Sequence, residues 1–404
     1  MFISGLVITK NEQQAIGKCL QSMLPFLDEM IVVDTGSTDA TVEIARGLGA
    51  EIRHFDWIDD FAAARNFAAS QVKGDWIVFL DADQWFDAAS TPNVRALIER
   101  YHDQPDVNMI MVREINHYDA TNFADTITGK IYRNRPDINW VGNIHEMLFF
   151  GEQYLSGYLH KEITIHHYGF APEKLKDKSG RNLKLLEKNL HEGKITDYLY
   201  ITLANEYVSF GQWDKAHEFA VLAKNRDLER NQGYTLAVRP PLLIIEYMNN
   251  HPDKFSVAEI EAEFADVIRR FPDHPEIYYW RALYDERRGN PQAAIDSFQK
   301  SLRLNSEYSG DQWLDFKWKE PTVYWRLGLL CSQSGNINQA IEALVQFMRR
   351  NKYDVGTLKW LTELVEFSGR PATSILAGIY DPEDSTDIEF LRGQFPELFA
   401  AVIL

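Results

Sequence analysis

Residues 76–80 form a run of five apolar residues that ends at two acidic residues, Asp81 and Asp83. A parallel strand covered on both faces of its sheet has a continuous apolar run of this kind, and ligands bind beyond the carboxyl ends of such strands. Two carboxylates one residue apart can share one divalent cation, which can neutralise a diphosphate. A plain turn is the alternative, because acidic triplets are common in turns. The run therefore predicts a buried strand that ends at a candidate site.

Composition narrows the class of protein. A chain of 404 residues is too long for one ordinary core, so we expect more than one domain. Its 45% hydrophobic and 25% charged residues are typical of a soluble globular protein, and no apolar segment approaches the roughly 20 residues of a membrane helix. We therefore expect no integral membrane association. The net charge of −17 argues against nucleic acid as a partner, since phosphates need a basic surface.

The expected location is the cytoplasm. Cys19 and Cys331 are the only cysteines, and their wide separation favours reduced thiols over a secreted disulfide framework. The first residues carry no basic segment before an apolar one, so they are better interpreted as a first strand than as a signal peptide.

The first half of the chain, residues 1–170, alternates short apolar runs with amphipathic stretches. Strand-like runs lie at 6–8, 30–33, 52–55, 76–80 and 107–112, with helical patterns at 15–23, 40–48 and 61–72 between them. Strands that alternate with helices of about a dozen residues indicate βαβ units and a mainly parallel, Rossmann-like sheet. This half is predicted to be an α/β domain.

The second half shows a recurring helical signature instead of strands. A small residue is followed by Gly seven positions later and by Ala five positions after that. The three copies are Ala204, Gly211 and Ala216; Ala282, Gly289 and Ala294; and Gly328, Gly335 and Ala340. The signature resembles the tetratricopeptide repeat, whose stacked helix pairs bind extended partners. We expect a polar linker at 171–195, helical repeats at 196–370 and a C-terminal helical cap at 371–404.

Polar residues that could bind a nucleotide follow the first strands. Thr9, Asn11 and Glu12 leave the first strand, where the backbone could hold a base and ribose. Asp34 follows the second strand and can accept a hydrogen bond from the N3–H of uracil or from ribose hydroxyls. Arg65 lies in a helical segment and could bind a diphosphate with its bidentate guanidinium. Helix capping and a surface salt bridge are the structural alternatives for these residues.

Two later segments carry further candidates. His145 and Glu146 lie in one of them, and His167 lies in the other. His and Glu side chains act as general bases and complete the ligand shells of metal ions. Each of them alone would more often be a structural residue.

Taken together, these motifs resemble family 2 glycosyltransferases of the GT-A fold. The segments 7–12, 33–39 and 80–83 stand in the order and spacing of that family, and segments 61–66 and 144–146 accompany them. With the following repeats, the chain looks like the subgroup of bacterial peptide glycosyltransferases that modify bacteriocins, including Cys S-glycosyltransferases.

The resemblance implies an inverting, metal-dependent transfer from a nucleotide-diphosphate sugar, often a UDP-sugar. It implies that Asp34 and Thr9 contact the nucleoside and that Asp81 reaches the ribose or the metal. It also places Asp83 on Mg²⁺ or Mn²⁺, with His167 where some members have a metal-contacting His.

The chain departs from the family pattern at two places. Thr35 stands where many members carry a second Asp, so the nucleotide is left open. The usual Glu-Asp catalytic pair is not evident, and Glu146 is our first candidate for the base, with His145 second.

We expect transfer to a Cys or Ser/Thr side chain of a peptide or protein, such as a bacteriocin precursor, which the helical half would hold. A Cys thiol is already partly ionised near neutral pH, whereas a hydroxyl is a poor nucleophile. Two alternatives stay open: a cell-wall, lipopolysaccharide or other glycan acceptor, and a non-catalytic scaffold. The sugar, the acceptor atom and the formation of a homodimer are also left open.

Overall fold

The computed structural model divides the chain into two compact units, Met1–Tyr234 and Thr235–Leu404. The structure describes residues 1–117, 123–168, 172–194, 198–226, 237–308, 314, 316 and 318–403. Within these ranges, no helix combines the length and the apolar character that a membrane crossing requires.

The first unit is built on an eight-stranded sheet with a three-stranded sheet beside it. Its strands are β1 (Ile3–Thr9), β2 (Glu29–Asp34), β3 (Glu51–His54), β4 (Trp76–Asp81), β5 (Gln84–Phe86), β6 (Met109–His117), β7 (Phe123–Arg133), β8 (Ile138–Val141), β9 (Met147–Phe150), β10 (Gln153–Tyr154) and β11 (Tyr158–His167). The large sheet has the order β3-β2-β1-β4-β7-β6-β11-β5, and the small sheet has the order β10-β9-β8.

Strands β3, β2, β1 and β4 are parallel, which confirms the predicted α/β fold. Beyond β4 the sheet changes character, because β7 is antiparallel to both β4 and β6. The sequence predicts β6 as a strand but not β7. Half of the large sheet is therefore mixed rather than parallel.

Strand β4 is buried on both faces, as its apolar run predicts. Val78 and Leu80 pack with helices on one face of the sheet. Ile77 and Phe79 pack on the other face, against helix α3 and the small sheet. This alternation follows from the two-residue period of a strand. Asp81 continues the series of Ile77 and Phe79, so its side chain belongs to the face that α3 covers.

The helices of the first unit extend beyond the sheet. They are α1 (Ile16–Met23), α2 (Thr41–Gly47), α3 (Phe61–Ala69), α4 (Thr91–His102), α5 (Pro172–His191), α6 (Leu199–Ser209) and α7 (Trp213–Lys224), and Leu24–Phe26 is a short 3₁₀ helix. In the structure, helix α5 occupies most of the segment 171–195, where a linker was expected. Residues 171 and 195 lie outside the described residues. Helix α5 is amphipathic, with Leu185 and Leu186 buried on one side. The lysines on its polar side make this segment of the sequence resemble a polar linker.

The second unit is helical, as predicted. It contains α8 (Arg239–Asn250), α9 (Val257–Arg270), α10 (Pro275–Arg287), α11 (Pro291–Glu307), α12 (Glu320–Gln333), α13 (Ile337–Arg350), α14 (Val355–Phe367), α15 (Ser385–Gln394) and α16 (Pro396–Ile403), with 3₁₀ helices at Pro252–Lys254 and Ala372–Gly378. Gly289 and Gly335 both have a φ of 74° in the turns between paired helices, which only glycine adopts without strain. Gly328 lies against Leu344, so the small residue lets α12 and α13 approach closely. The first predicted repeat, helices α6 and α7, belongs instead to the compact unit of the sheet.

We predict that Gly74→Ala destabilises the first unit by about 1–3 kcal/mol. Gly74 is buried before β4, and a Cβ there would lie 2.8 Å from the backbone nitrogen of Ser4 in β1. The added methyl group must therefore push apart the two strands that carry the site. Urea unfolding measures the change.

The matched control is Gly47→Ala at the exposed end of α2, where a Cβ would contact nothing within 4 Å. This substitution should stabilise the protein by about 0.5–1 kcal/mol, because alanine is the better helix former. Equal stability of the two variants would contradict the close packing at Gly74.

Candidate active site

The carboxyl ends of β2, β1 and β4 bring three predicted residues together. In the strand register Thr9 of β1 pairs with Asp34 of β2, and Ile8 pairs with Asp81 of β4. Neighbouring strands lie about 4.8 Å apart, so Thr9, Asp34 and Asp81 share one edge of the sheet. The hydroxyl of Thr9 is buried and has no hydrogen-bond partner among the described residues. That hydroxyl therefore retains capacity for a further hydrogen bond.

Asp34 organises the loop that follows β2. Its buried carboxylate accepts hydrogen bonds from the backbone N–H groups of Gly36 and Ser37, at 3.2 and 3.1 Å. His54 Nδ1 lies 3.5 Å from Asp34 Oδ2. A carboxylate has about four lone-pair positions, so Asp34 can still accept a bond from a ligand.

Asn11 and Glu12 connect the loop after β1 to the loop after β2. Asn11 has a φ of 54°, and its side-chain oxygen accepts from the backbone N–H of Thr38 at 2.8 Å. The backbone N–H of Glu12 donates to the hydroxyl of Thr41 at 2.8 Å. These contacts shape the two loops, while contacts of Asn11 and Glu12 with a nucleotide remain a prediction.

Asp81 lies between two cations. Its Oδ1 is 3.2 Å from Arg65 Nη2 in α3, and its Oδ2 is 3.2 Å from Lys130 Nζ in β7. Burial by itself would raise the pKa of Asp81, but Lys130 and Arg65 outweigh it and hold that pKa well below its ordinary value. Asp81 is therefore a stable anion that keeps two cations at the end of β4.

Arg65 is fixed by more than Asp81. Its guanidinium lies 4.0 Å from the ring centroid of Phe79 and 4.7 Å from that of Trp140. Its Nε donates to the buried carboxylate of Glu146. Burial by itself would lower the pKa of Arg65, but the charges of Glu146 and Asp81 raise it. The Nη1 atom is buried without a hydrogen-bond partner in the described part of the chain, so the guanidinium retains donor capacity for a ligand.

Lys130 is a site residue that the sequence analysis missed. It lies in β7, is only 7% exposed, and is paired with Asp81. The detectable signal was a lysine one residue before the apolar pair Ile131 and Tyr132 in a strand-like segment. A lysine buried among apolar residues needs a nearby anion.

Asp83 and His167 form a second pair. Asp83 lies between β4 and β5, and His167 is the last residue of β11. Asp83 is 6% exposed, and its Oδ1 lies 3.4 Å from His167 Nε2. The side-chain nitrogen of Asn116 donates to Thr126, so its oxygen is the acceptor that faces His167 Nδ1 at 2.8 Å. Nδ1 then carries the proton, and in a neutral ring Nε2 presents its lone pair toward Asp83.

This pair fits one divalent cation. Two ligand atoms that are each about 2.1 Å from the same ion lie roughly 3.0–3.5 Å apart, and imidazole with carboxylate suits Mn²⁺. The expected trio of Asp81, Asp83 and His167 is not formed, because Asp81 faces Arg65 and Lys130 on the α3 side. Across the described ranges, no group of three or more His, Cys, Asp or Glu side chains could hold a metal. A cation here would take its other ligands from a diphosphate and water, as Mg²⁺ commonly does.

The structure separates the two candidate bases. Glu146 joins the group around Arg65. His145 has a φ of 50°, and its Nε2 lies 3.4 Å from Glu206 Oε1 in α6. The role of general base remains a prediction for Glu146 and for His145. Glu146 is connected to Asp81, because both carboxylates bind Arg65.

Comparison with known proteins identifies the two parts of the chain. A model described as Glycosyl transferase family 2 matches residues 4–160. A model described as Tetratricopeptide repeat matches residues 321–354. From residue 4 onward, the first match covers the strands of the site up to β10 but only the first three residues of β11, so His167 lies outside it. The second match covers helix α12 from residue 321 and all of α13.

Several relatives are similar over different lengths. A TPR repeat-containing protein of Synechococcus elongatus is 28% identical over 314 residues, which are 74% of this chain and 66% of that protein. The SPbeta prophage-derived glycosyltransferase SunS of Bacillus subtilis is 28% identical over 322 residues, 73% of this chain and 74% of SunS. An uncharacterized glycosyltransferase of Rickettsia typhi is 42% identical over 82 residues, 20% of this chain and 28% of that protein.

Among solved structures, glucosyl-3-phosphoglycerate synthase from Mycobacterium tuberculosis is 24% identical, with a TM-score of 0.24. The match covers 29% of this chain and 44% of the synthase. A TM-score this low carries no argument about this protein.

We predict that Asp81→Asn destabilises the protein by about 1–3 kcal/mol at pH 7, because it leaves Lys130 without its anion and leaves Arg65 with Glu146 alone. The pKa of Asp81 is lowered in the folded state, so its charge stabilises the fold above its unfolded pKa, near about 3.9. That contribution is lost as the pH falls toward the folded pKa. The difference from the natural protein should therefore narrow below about pH 4.

Urea unfolding across this pH range measures the difference, with Asp56→Asn as the control at an exposed carboxylate. A destabilisation by Asp81→Asn that does not change with pH would contradict the charge interaction.

Proposed function

We propose that the N-terminal domain of this chain, which matches the family 2 glycosyltransferase model over residues 4–160, transfers a sugar from a nucleotide diphosphate to a peptide. The expected donor is a UDP-sugar. The expected acceptor is a Cys or Ser/Thr side chain of a peptide or protein, such as a bacteriocin precursor. The observation that carries the proposal is the meeting of Arg65 and Lys130 on Asp81 where the parallel strands end.

The nucleoside part of the donor would lie at the ends of β1 and β2. The unpartnered Thr9 hydroxyl can bond to a polar group there, and Asp34 can accept from an imide N–H or a ribose hydroxyl. Because loop N–H groups already hold its carboxylate, Asp34 presents a fixed acceptor. A fixed acceptor loses little entropy on binding.

The diphosphate would lie beside Arg65 and Lys130. Both cations are held in place before the donor arrives, so they need not reorganise as negative charge develops on the leaving group. Asp83 and His167 would hold the divalent cation, Mg²⁺ or Mn²⁺, on the other side. When bound, such a cation supplies Lewis-acid stabilisation of the departing diphosphate.

Transfer with inversion needs one base and one nucleophile. The acceptor thiol or hydroxyl gives its proton to the base while its sulfur or oxygen bonds to the anomeric carbon. The bond from that carbon to the diphosphate oxygen breaks, and the electron pair leaves with the nucleotide. Glu146 is our candidate base, and a Cys acceptor demands least from it because a thiol ionises more easily than a hydroxyl.

The proposed peptide acceptor is supported by the helical part of the chain. A tetratricopeptide repeat lies at 321–354, and arrays of such repeats offer extended surfaces to partners. The net charge of −17 favours a neutral or cationic acceptor.

We predict that Asp83→Asn lowers metal-dependent release of UDP from a UDP-sugar by about 100-fold or more, because the cation loses its carboxylate. Nucleotide release with Mn²⁺, and with EDTA, measures the change. The matched control is Asp87→Asn, since Asp87 lies 3.5 Å from a different histidine, His166. Equal activity of Asp83→Asn and the natural protein would refute the metal assignment.

We also predict that Glu146→Gln lowers kcat for transfer by about 100-fold, with little change in the donor KM. Glutamine keeps an oxygen that accepts from Arg65 but cannot take a proton. An unchanged kcat would remove Glu146 from the role of base. A raised donor KM with an unchanged kcat would instead mark a role in donor binding alone.

The acceptor is tested by intact-mass analysis. Peptides that contain Cys, Ser or Thr, and glycan acceptors in parallel, are incubated with a panel of UDP- and GDP-sugars and Mn²⁺. A mass gain of one or more hexoses on a peptide supports the proposal. Transfer only to the glycans, or to no acceptor, contradicts the peptide part of it.

A further inference from the structure

The loop between β8 and β9, residues 142–146, carries Glu146 and is held by α3 on one side. The backbone N–H of Phe61 donates to the carbonyl of Asn143 at 2.9 Å. Glu146 binds Arg65 four residues further along α3. The position of Arg65 at Asp81 therefore depends on where this loop lies.

Helix α5 holds the same loop from another side. The amides of Asn143 and Asn189 bond to each other reciprocally, with Asn143 Nδ2 donating to Asn189 Oδ1 at 2.7 Å. Asn189 is 8% exposed, so this amide pair is shielded from water. Arg181 of α5 lies near Glu146: burial lowers the pKa of Arg181, and the charge of Glu146 opposes that shift.

Helix α6 adds two further contacts. The hydroxyl of Tyr198, directly before α6, donates to the carbonyl of Val141 at 3.1 Å. Glu206 Oε1 lies 3.4 Å from His145 Nε2 at the other end of the loop. Tyr198 and Glu206 therefore contact both ends of the loop that carries Glu146.

The backbone of the loop is strained and needs such support. Gly142 has a φ of 100° and His145 a φ of 50°. A Cβ at Gly142 would collide with the hydroxyl of Tyr198, so only glycine lets the tyrosine approach. Strained backbone of this kind persists only where surrounding contacts hold it.

We propose that the side chains of α5 and α6 that face the β8–β9 loop, together with Tyr198 directly before α6, position this loop and, through Glu146, the guanidinium of Arg65. Tyr198, Asn189 and Glu206 are positioning residues in this account. The inference rests on the proposed sugar transfer. It assigns these helices a role in the reaction of the donor itself, separate from any role in holding an acceptor.

A positioning role predicts a loss in the rate of the chemical step. A small displacement of Arg65 weakens its contact with charge that develops on the diphosphate, which lowers kcat. If α5 and α6 served only to bind the acceptor, substitutions in them would change the acceptor KM and leave donor hydrolysis unaffected. Hydrolysis of the UDP-sugar without an acceptor therefore separates the two roles.

The test compares two Tyr→Phe variants of the full chain. Tyr198→Phe removes the hydroxyl that binds Val141, and we expect a roughly three- to tenfold lower kcat for hydrolysis. Tyr207→Phe is the matched control, because its buried hydroxyl binds Glu187 at 2.6 Å between the same two helices without touching the loop. The control should lose stability without losing kcat. Equal kcat values for the two variants would overturn the inference.

A double substitution tests the route through Arg65. In an Arg65→Lys background, the positioning account predicts that Tyr198→Phe causes little further loss, because the two act on the same group. A full additional loss would show that Tyr198 acts elsewhere and would overturn the proposed route.

Hydrogen exchange of segment 142–146 gives a readout that does not need activity. We expect faster exchange in Tyr198→Phe than in Tyr207→Phe, and equal exchange would count against the inference. If the natural protein hydrolyses no nucleotide sugar while the loop responds in this way, the proposed function fails and the support of the loop stands.

Discussion

The ion pairs of Asp81 with Arg65 and Lys130 are the interaction on which the site depends. They join the end of β4, helix α3 and strand β7 at one point. The side chains of Arg65 and Lys130 are only 11% and 8% exposed, and a buried cation without its anion costs several kcal/mol. Asp81 therefore keeps positive charge at the edge of the sheet when no donor is bound. The same charge suits the diphosphate of a nucleotide sugar.

The contacts of Arg65 continue into the helices that follow the sheet. Arg65 is held by Glu146, Glu146 lies in the β8–β9 loop, and the loop is held by α5 and α6. The first unit accordingly ends at Tyr234 rather than near the last strand. The family match ends at residue 160, so the supporting helices lie outside the matched segment. The family match alone would not reveal them.

The sequence predicts the parallel part of the fold well, because its signals are local. A run such as 76–80 is typical of a central strand, and the polar residues that follow such a strand lie at the edge of the sheet. Thr9, Asp34 and Asp81 lie at that edge for this reason. The helical repeats were equally visible, since their small residues recur at fixed spacing.

The remaining features depend on contacts between distant segments. Lys130 becomes a site residue only because β7 pairs antiparallel with β4, which no local pattern specifies. Asp81 and Asp83 are two residues apart but have different partners, because Asp81 shares the face of Phe79 while Asp83 follows the turn toward His167. The support of the loop by Asn189 was hidden in a lysine-rich segment interpreted as a linker.

A structure determined with UDP and Mn²⁺ tests the central claim most directly. The account predicts the uracil beside Asp34 and Thr9, the diphosphate in contact with Lys130 and Arg65, and the cation bound to Asp83 and His167. Nucleotide or manganese density away from the ends of β1, β2 and β4 would contradict it.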